Sequence, residues 1–141
     1  MNLKNYATFF HDGSIIAINH LRDEIIILME SAEVDEEDIK DAIVLSKDDR
    51  IRGILHIKGI KNVKEDGRSY NGTVTMKHED AEIFHFEMAQ NKIELQIKWG
   101  AYPPKPRIED FSTIEIEAEK IWWENIPDLP NNCCNEDKTK K

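Results

Sequence analysis

The chain is short of cysteine, of glycine and of long apolar runs, and each scarcity removes a class of protein. Its two cysteines, Cys133 and Cys134, are neighbours in a polar C-terminal segment. Adjacent cysteines close a strained ring and cannot staple a domain. No second Cys or His group with zinc-ligand spacing accompanies them, so they read as two reduced thiols. The six glycines build no phosphate-cradling loop, and GxSxG, HExxH and Cys–His nucleophile patterns are absent. No apolar run approaches the roughly 18–20 residues that span a bilayer. The opening MNLKNYATFFHDG has one lysine and no sustained apolar stretch, so no secretion signal is expected and a cytoplasmic location is.

Basic charge is the remaining shortage. The formal net charge is −9. A phosphate-backbone binder needs a basic stripe, and an anionic membrane repels an acidic chain, so neither nucleic acid nor membrane is an expected partner. A basic protein is compatible with this balance. No cofactor is implied.

What is present suits one globular domain. A hydrophobic share of 40% over 141 residues can bury a real core, expected over residues 1–130. Residues 131–141 are polar without an apolar pattern and are expected to be a disordered tail.

The clearest signal is Ala81–Gly100. Phe84, Phe86 and Met88 alternate with Ile83, His85 and Glu87; after Gln90-Asn91, Ile93, Leu95, Ile97 and Trp99 alternate with Glu94, Gln96 and Lys98. A period of two places side chains on opposite sheet faces, so this is a hairpin. A two-residue turn at Gln90-Asn91, with Asn91 at positive φ, sets Met88 against Ile93, Phe86 against Leu95 and Phe84 against Ile97. The same register sets Glu87 against Glu94 and His85 against Gln96.

The rest of the chain follows the same logic. Tyr6–Phe10 and Ser14–Asn19 flank Asp12-Gly13 and predict a type I′ hairpin. A turn at Leu21–Asp23 leads into Glu24–Glu30, whose apolar run predicts a strand covered on both faces. Glu33–Asp41 is almost continuously acidic, with Asp35 placed to cap a short turn at Glu36. Arg50–Lys58 alternates, with a bulge expected near Gly53-Ile54. Ile60–Lys64, Tyr70–Lys77 and the hairpin predict a meander. Three prolines in Ala101–Arg107 predict an extended crossing. Phe111–Trp123 is the last strand, with a change of phase near Glu119-Lys120, or a helix end at Trp122-Trp123. Eight to ten strands and at most one short helix predict an all-β, antiparallel sandwich or partly closed barrel.

Four constellations could carry function. His11-Asp12 has a sufficient geometric reason in the turn. His85, Glu87 and Glu94, with Gln96 beside them, could hold a divalent ion around which a metal-dependent enzyme would be built, although a solvated strand face with Lys92 and Lys98 diluting the repulsion is the simpler explanation. Glu33, Asp35, Glu36, Glu37, Asp38 and Asp41, with the ladder Glu115, Glu117 and Glu119, lack calcium-loop spacing and form either a solvated face or a docking surface for a basic partner. Trp99, Tyr102, Trp122 and Trp123 supply core, an interface anchor or a sugar-stacking platform. Neighbouring Trp122 and Trp123 cannot both point inward.

The opening FFHDGSIIAI and the closing aromatic strand before WENIPDL resemble small bacterial β-proteins, some of them immunity-type proteins of polymorphic toxin systems. The resemblance covers the first thirty residues and Phe111–Leu129. It implies a cytoplasmic, non-enzymatic protein that binds and blocks a toxin domain. The expected partner-binding residues are the acidic group Glu33–Asp41 together with Trp122 or Trp123; the alternative is a small-ligand or carbohydrate-binding β-domain.

Overall fold

The computed structural model describes residues 3–101 and 108–128. The proline crossing, Tyr102 and the tail with Cys133 and Cys134 lie outside the described residues. Seven strands follow one another as β1 (Ser14–Leu21), β2 (Glu24–Glu33), β3 (Arg50–Glu65), β4 (Arg68–Ser69), β5 (Asp80–Met88), β6 (Lys92–Ala101) and β7 (Ile108–Asn125). Among the described residues the helical content is a 3-10 helix at Leu3–Phe10 and a single 3-10 turn at Glu36–Asp38. Among the described residues no helix is long and apolar enough to cross a membrane.

The strands form one antiparallel sheet in the order β2-β1-β5-β6-β7-β3-β4. Because β2 also pairs with β3, six of them close a ring around the core and β4 hangs from the far end of β3. Period-two alternation explains the interior. Ile25, Ile27 and Met29 meet Ile51, Leu55 and Ile57, while Ile93, Leu95, Ile97 and Trp99 meet Ile114, Ile116 and Ala118, all buried. The expected all-β antiparallel class is what the chain adopts. Double covering of β2 is confined to Leu28, which is buried but stands outside the core cluster.

The ring has one weak seam. β1 and β5 share a single register pair, Ser14 with Glu82. Asp12 N donates to Ile83 O and Ile83 N to Gly13 O, each at 2.8 Å. Beyond that point the two edges part. The 3-10 helix covers the β5 side, burying Leu3, Tyr6, Ala7 and Phe10, and Phe10 packs edge-on against Phe86 at 5.4 Å and Trp123 at 5.8 Å. On the β1 side, Val74 N donates to His20 Nδ1 at 2.9 Å and Val74 is buried, so the loop after β4 lies against that edge.

Several expectations are corrected. Tyr6–Phe10 is helical, not a strand, and Asp12-Gly13 is a helix-to-strand turn in which only Asp12 takes positive φ. Gly13 is needed for closeness, since a Cβ there would stand 2.3 Å from Glu30 O. Ile60–Lys64 is continuous with β3, and Tyr70–Lys77 is loop, so the meander is absent. Asp66-Gly67, with φ of 54° and 84°, is the true type I′ turn, and it supports only the two-residue β4. In the β5–β6 hairpin, Met88 faces Ile93 and Phe86 faces Leu95, with Ala89 N bonded to Lys92 O around Gln90-Asn91. Asn91 is not at positive φ, and a bulge between Ile83 and His85 sets Ile83, not Phe84, against Ile97.

The phase change in β7 is real and has a cause in its neighbour. Ala118 is buried, and Ile121 and Trp123 pack on the core three and five residues later. Opposite them, Gly59 of β3 takes φ +74°, and the register slips between Ile60 and Asn62. The β1–β2 turn locks this kink: Gly59 N donates to Asp23 O at 3.0 Å and Ile60 N to Asp23 Oδ1 at 2.9 Å. Gly53 stays in phase with no bulge, and β7 runs through Trp122-Trp123 without a helix end.

Candidate partner-binding surface

The acidic segment is built outward by one cap. Asp35 accepts from Glu37 N at 3.1 Å and closes the turn Glu36–Asp38, none of whose side chains is buried. Val34 tucks inward, and its N–H reaches Asp49 O at 2.8 Å, which seats the segment against the turn before β3. Glu33, Val34, Asp35, Glu36 and Asp49 line an open depression of about 520 Å³. Asp41 is engaged differently: the Tyr6 hydroxyl donates to its carboxylate at 2.7 Å, and that bond holds the Tyr6 pKa above its ordinary value.

A second depression, of about 610 Å³, spans the seam. Asp12, Glu30, Asp48, Glu79, Asp80 and Glu82 bring six carboxylates to its wall, against the two cations Arg52 and Lys98. Asp48 is fixed by the Ser46 hydroxyl at 2.6 Å and Arg50 Nε at 2.9 Å. The Ser46 bond, aided by Arg50, holds its carboxyl below the usual range against a smaller opposing effect of burial. Asp48 lines one depression and its neighbour Asp49 the other, so the turn before β3 contributes a carboxylate to each. Sequence reasoning found Glu33, Asp35 and Glu36 but missed the seam group. Its members come from two strands, β2 and β5, and three turns, and only ring closure brings them together.

The tryptophans divide as their adjacency requires. Trp123 faces the core, edge-on to Phe10, with Nε1 donating to Asn125 Oδ1 at 3.2 Å. Trp122 lies half-buried on the outer face, stacked on His56 at 4.7 Å with an interplanar angle of 5°, and the Lys120 ammonium stands 4.9 Å from its ring centre. Trp99 is fully buried, its Nε1 donating to Ser112 Oγ at 3.0 Å, and offers no stacking platform. His11 behaves as a turn residue, its Nδ1 2.5 Å from Phe84 O.

The register does gather the proposed metal-type residues. Glu87 faces Glu94, and ligand atoms of His85, Glu87 and Glu94 all lie within 4.8 Å of one another. In the glutamate ladder, Glu115 pairs with Lys92 at 3.1 Å, while Glu117 and Glu119 are exposed.

Fold and surface together define an all-β antiparallel ring with an acidic face. No protein family, no curated protein and no solved structure matches the chain.

Proposed function

We propose that this chain is a non-enzymatic interaction protein whose acidic face docks a basic protein partner. The observation that carries the reading is the pair of acidic depressions to which the Asp48-Asp49 turn contributes one carboxylate each. Carboxylates in a concave surface focus the field and attract cationic side chains over a Debye length of about 8 Å. Glu33, Asp35, Glu36, Glu37 and Asp38 provide the projecting part of that field, and Asp41 helps to anchor the loop through Tyr6. Trp122, with its ring partly exposed beside Lys120, is the apolar anchor of choice, because Trp123 is engaged with the core. The sequence resemblance to immunity-type proteins supports a toxin domain as the partner.

The test begins with affinity capture from lysate of the source cell at low and high salt, followed by association kinetics with the captured protein. Replacing Glu36, Glu37 and Asp38 with Ser is expected to slow association by about tenfold at low salt and to flatten its salt dependence. A partner that is acidic, or kinetics unchanged by the triple replacement, refutes the proposal.

A further inference from the structure

The β5–β6–β7 ladder places three glutamates in one row, Glu87 opposite Glu94 and Glu94 opposite Glu115. Like charges directly opposite one another destabilise a sheet unless something neutralises them. Lys92 answers Glu115 at 3.1 Å. The Lys92 charge also reaches Glu94, and Lys4 lines the same groove as Glu87. An imidazole approaches as well: His85 Nε2 lies 3.5 Å from Glu87 Oε1.

We propose that His85, Glu87 and Glu94 form a surface site for a divalent ion of the zinc class. Zinc takes imidazole nitrogen and carboxylate oxygen at about 2.0–2.2 Å, so two ligand atoms on a tetrahedral ion stand about 3.4 Å apart. His85 and Glu87 already have that spacing. All three ligand atoms lie within 4.8 Å of one another, so any remaining gap is at most about 1.4 Å, a movement within the reach of a side-chain torsion. The scaffold under them is firm, because the inward pairs Phe86–Leu95 and Met88–Ile93 fix the register of both strands. Three protein ligands leave a fourth position open. It is reachable from two sides: Glu87 and Glu94 line a depression of about 290 Å³, and His85 and Glu87 line a groove of about 470 Å³ beside the 3-10 helix. The site shares no residue with the acidic face, so it stands or falls independently of the partner proposal.

The experiment is calorimetric titration of Zn²⁺ into the full chain carrying Cys133→Ser and Cys134→Ser, with melting curves taken with and without the ion. The Ser replacements remove thiolates that would bind zinc by themselves. Zn²⁺ is expected to bind at one equivalent and to raise the melting temperature. His85→Gln and Glu94→Gln should each weaken binding at least about tenfold, while Glu37→Gln leaves it unchanged. Without metal, Glu94→Gln should melt at or above the parent, because it removes a like-charge opposition. Lost affinity with retained stability separates ligation from unfolding. Absence of Zn²⁺ binding, or binding insensitive to both replacements, overturns the assignment.

Discussion

Gly53→Ala tests whether β3 and β7 are held as closely as the ring requires. Gly53 is an inward position of β3, paired with Met29 on one side and Asn125 on the other. A Cβ there would stand 2.1 Å from Glu124 O, 2.9 Å from Ile126 N and 2.9 Å from Trp123 Cζ2. Two of these are backbone atoms, so no rotamer change relieves them. Merely reaching 3.0 Å from the Glu124 oxygen requires a displacement of 0.9 Å. That displacement pulls Ile126 N from Arg52 O, now at 2.9 Å, and Trp123 from Phe10. Overpacking costs about 1–3 kcal/mol, the hydrogen bond about 0.5–1.5 and the aromatic pair about 0.5–1.5. These overlap, so the expected loss is about 2–4 kcal/mol. Gly67→Ala is the matched control. Gly67 has φ +84° with nothing within 4 Å of a built Cβ, so it loses only the backbone preference, about 1 kcal/mol. In urea unfolding followed by tryptophan fluorescence, with a slope of about 2 kcal/mol per molar, the midpoint should fall by about 1–2 M for Gly53→Ala and about 0.5 M for Gly67→Ala. Equal shifts for the two would refute the close-approach reasoning.

Two further predictions concern polar pairs. Ser112→Ala leaves Trp99 Nε1 without its acceptor in a fully buried site, and should cost about 1–3 kcal/mol in the same urea assay. The Glu65 carboxylate raises the pKa of Lys77, chiefly through their hydrogen bond. A raised folded pKa gives stability that is complete below the unfolded value of 10.5 and is lost as pH climbs through the folded one. Melting temperatures should therefore decline in that alkaline range, and Lys77→Met should remove this part of the decline.

The hairpin was legible because its pattern is local. Met88, Phe86, Ile93 and Leu95 alternate cleanly, and their pairing follows from turn length alone. The N-terminal helix also left a signal: Leu3, Tyr6, Ala7 and Phe10 recur at helical spacing, and all four are buried. Aromatic content at Phe9-Phe10 and the adjacent Asp12-Gly13 outweighed that period and suggested a strand. The segment Tyr70–Lys77 misled for the opposite reason. Its alternation is regular, yet the tight turn before it pairs only Lys64 with Ser69 and Glu65 with Arg68 before β7 claims the other edge of β3. Strand order was beyond local patterns, since β3 and β7 pair across 49 to 72 residues of chain. The same distance hid the seam carboxylates. By contrast, Glu87 opposite Glu94 could be read directly, because a single hairpin sets it.

The single register pair between β1 and β5 also determines how this protein should come apart. Every other joint in the ring is a ladder of many residues, whereas this one depends on Ser14 and Glu82 with two flanking backbone bonds. Local opening follows the least-bonded boundary. Separation there would lift the N-terminal helix and the Val74 loop while β2, β3, β7 and β6 stay paired. Native-state hydrogen exchange would then divide the chain unevenly, with Asp12 and Ile83 amides exchanging through small openings and those of Leu55, Ile57 and Ile116 only through global unfolding.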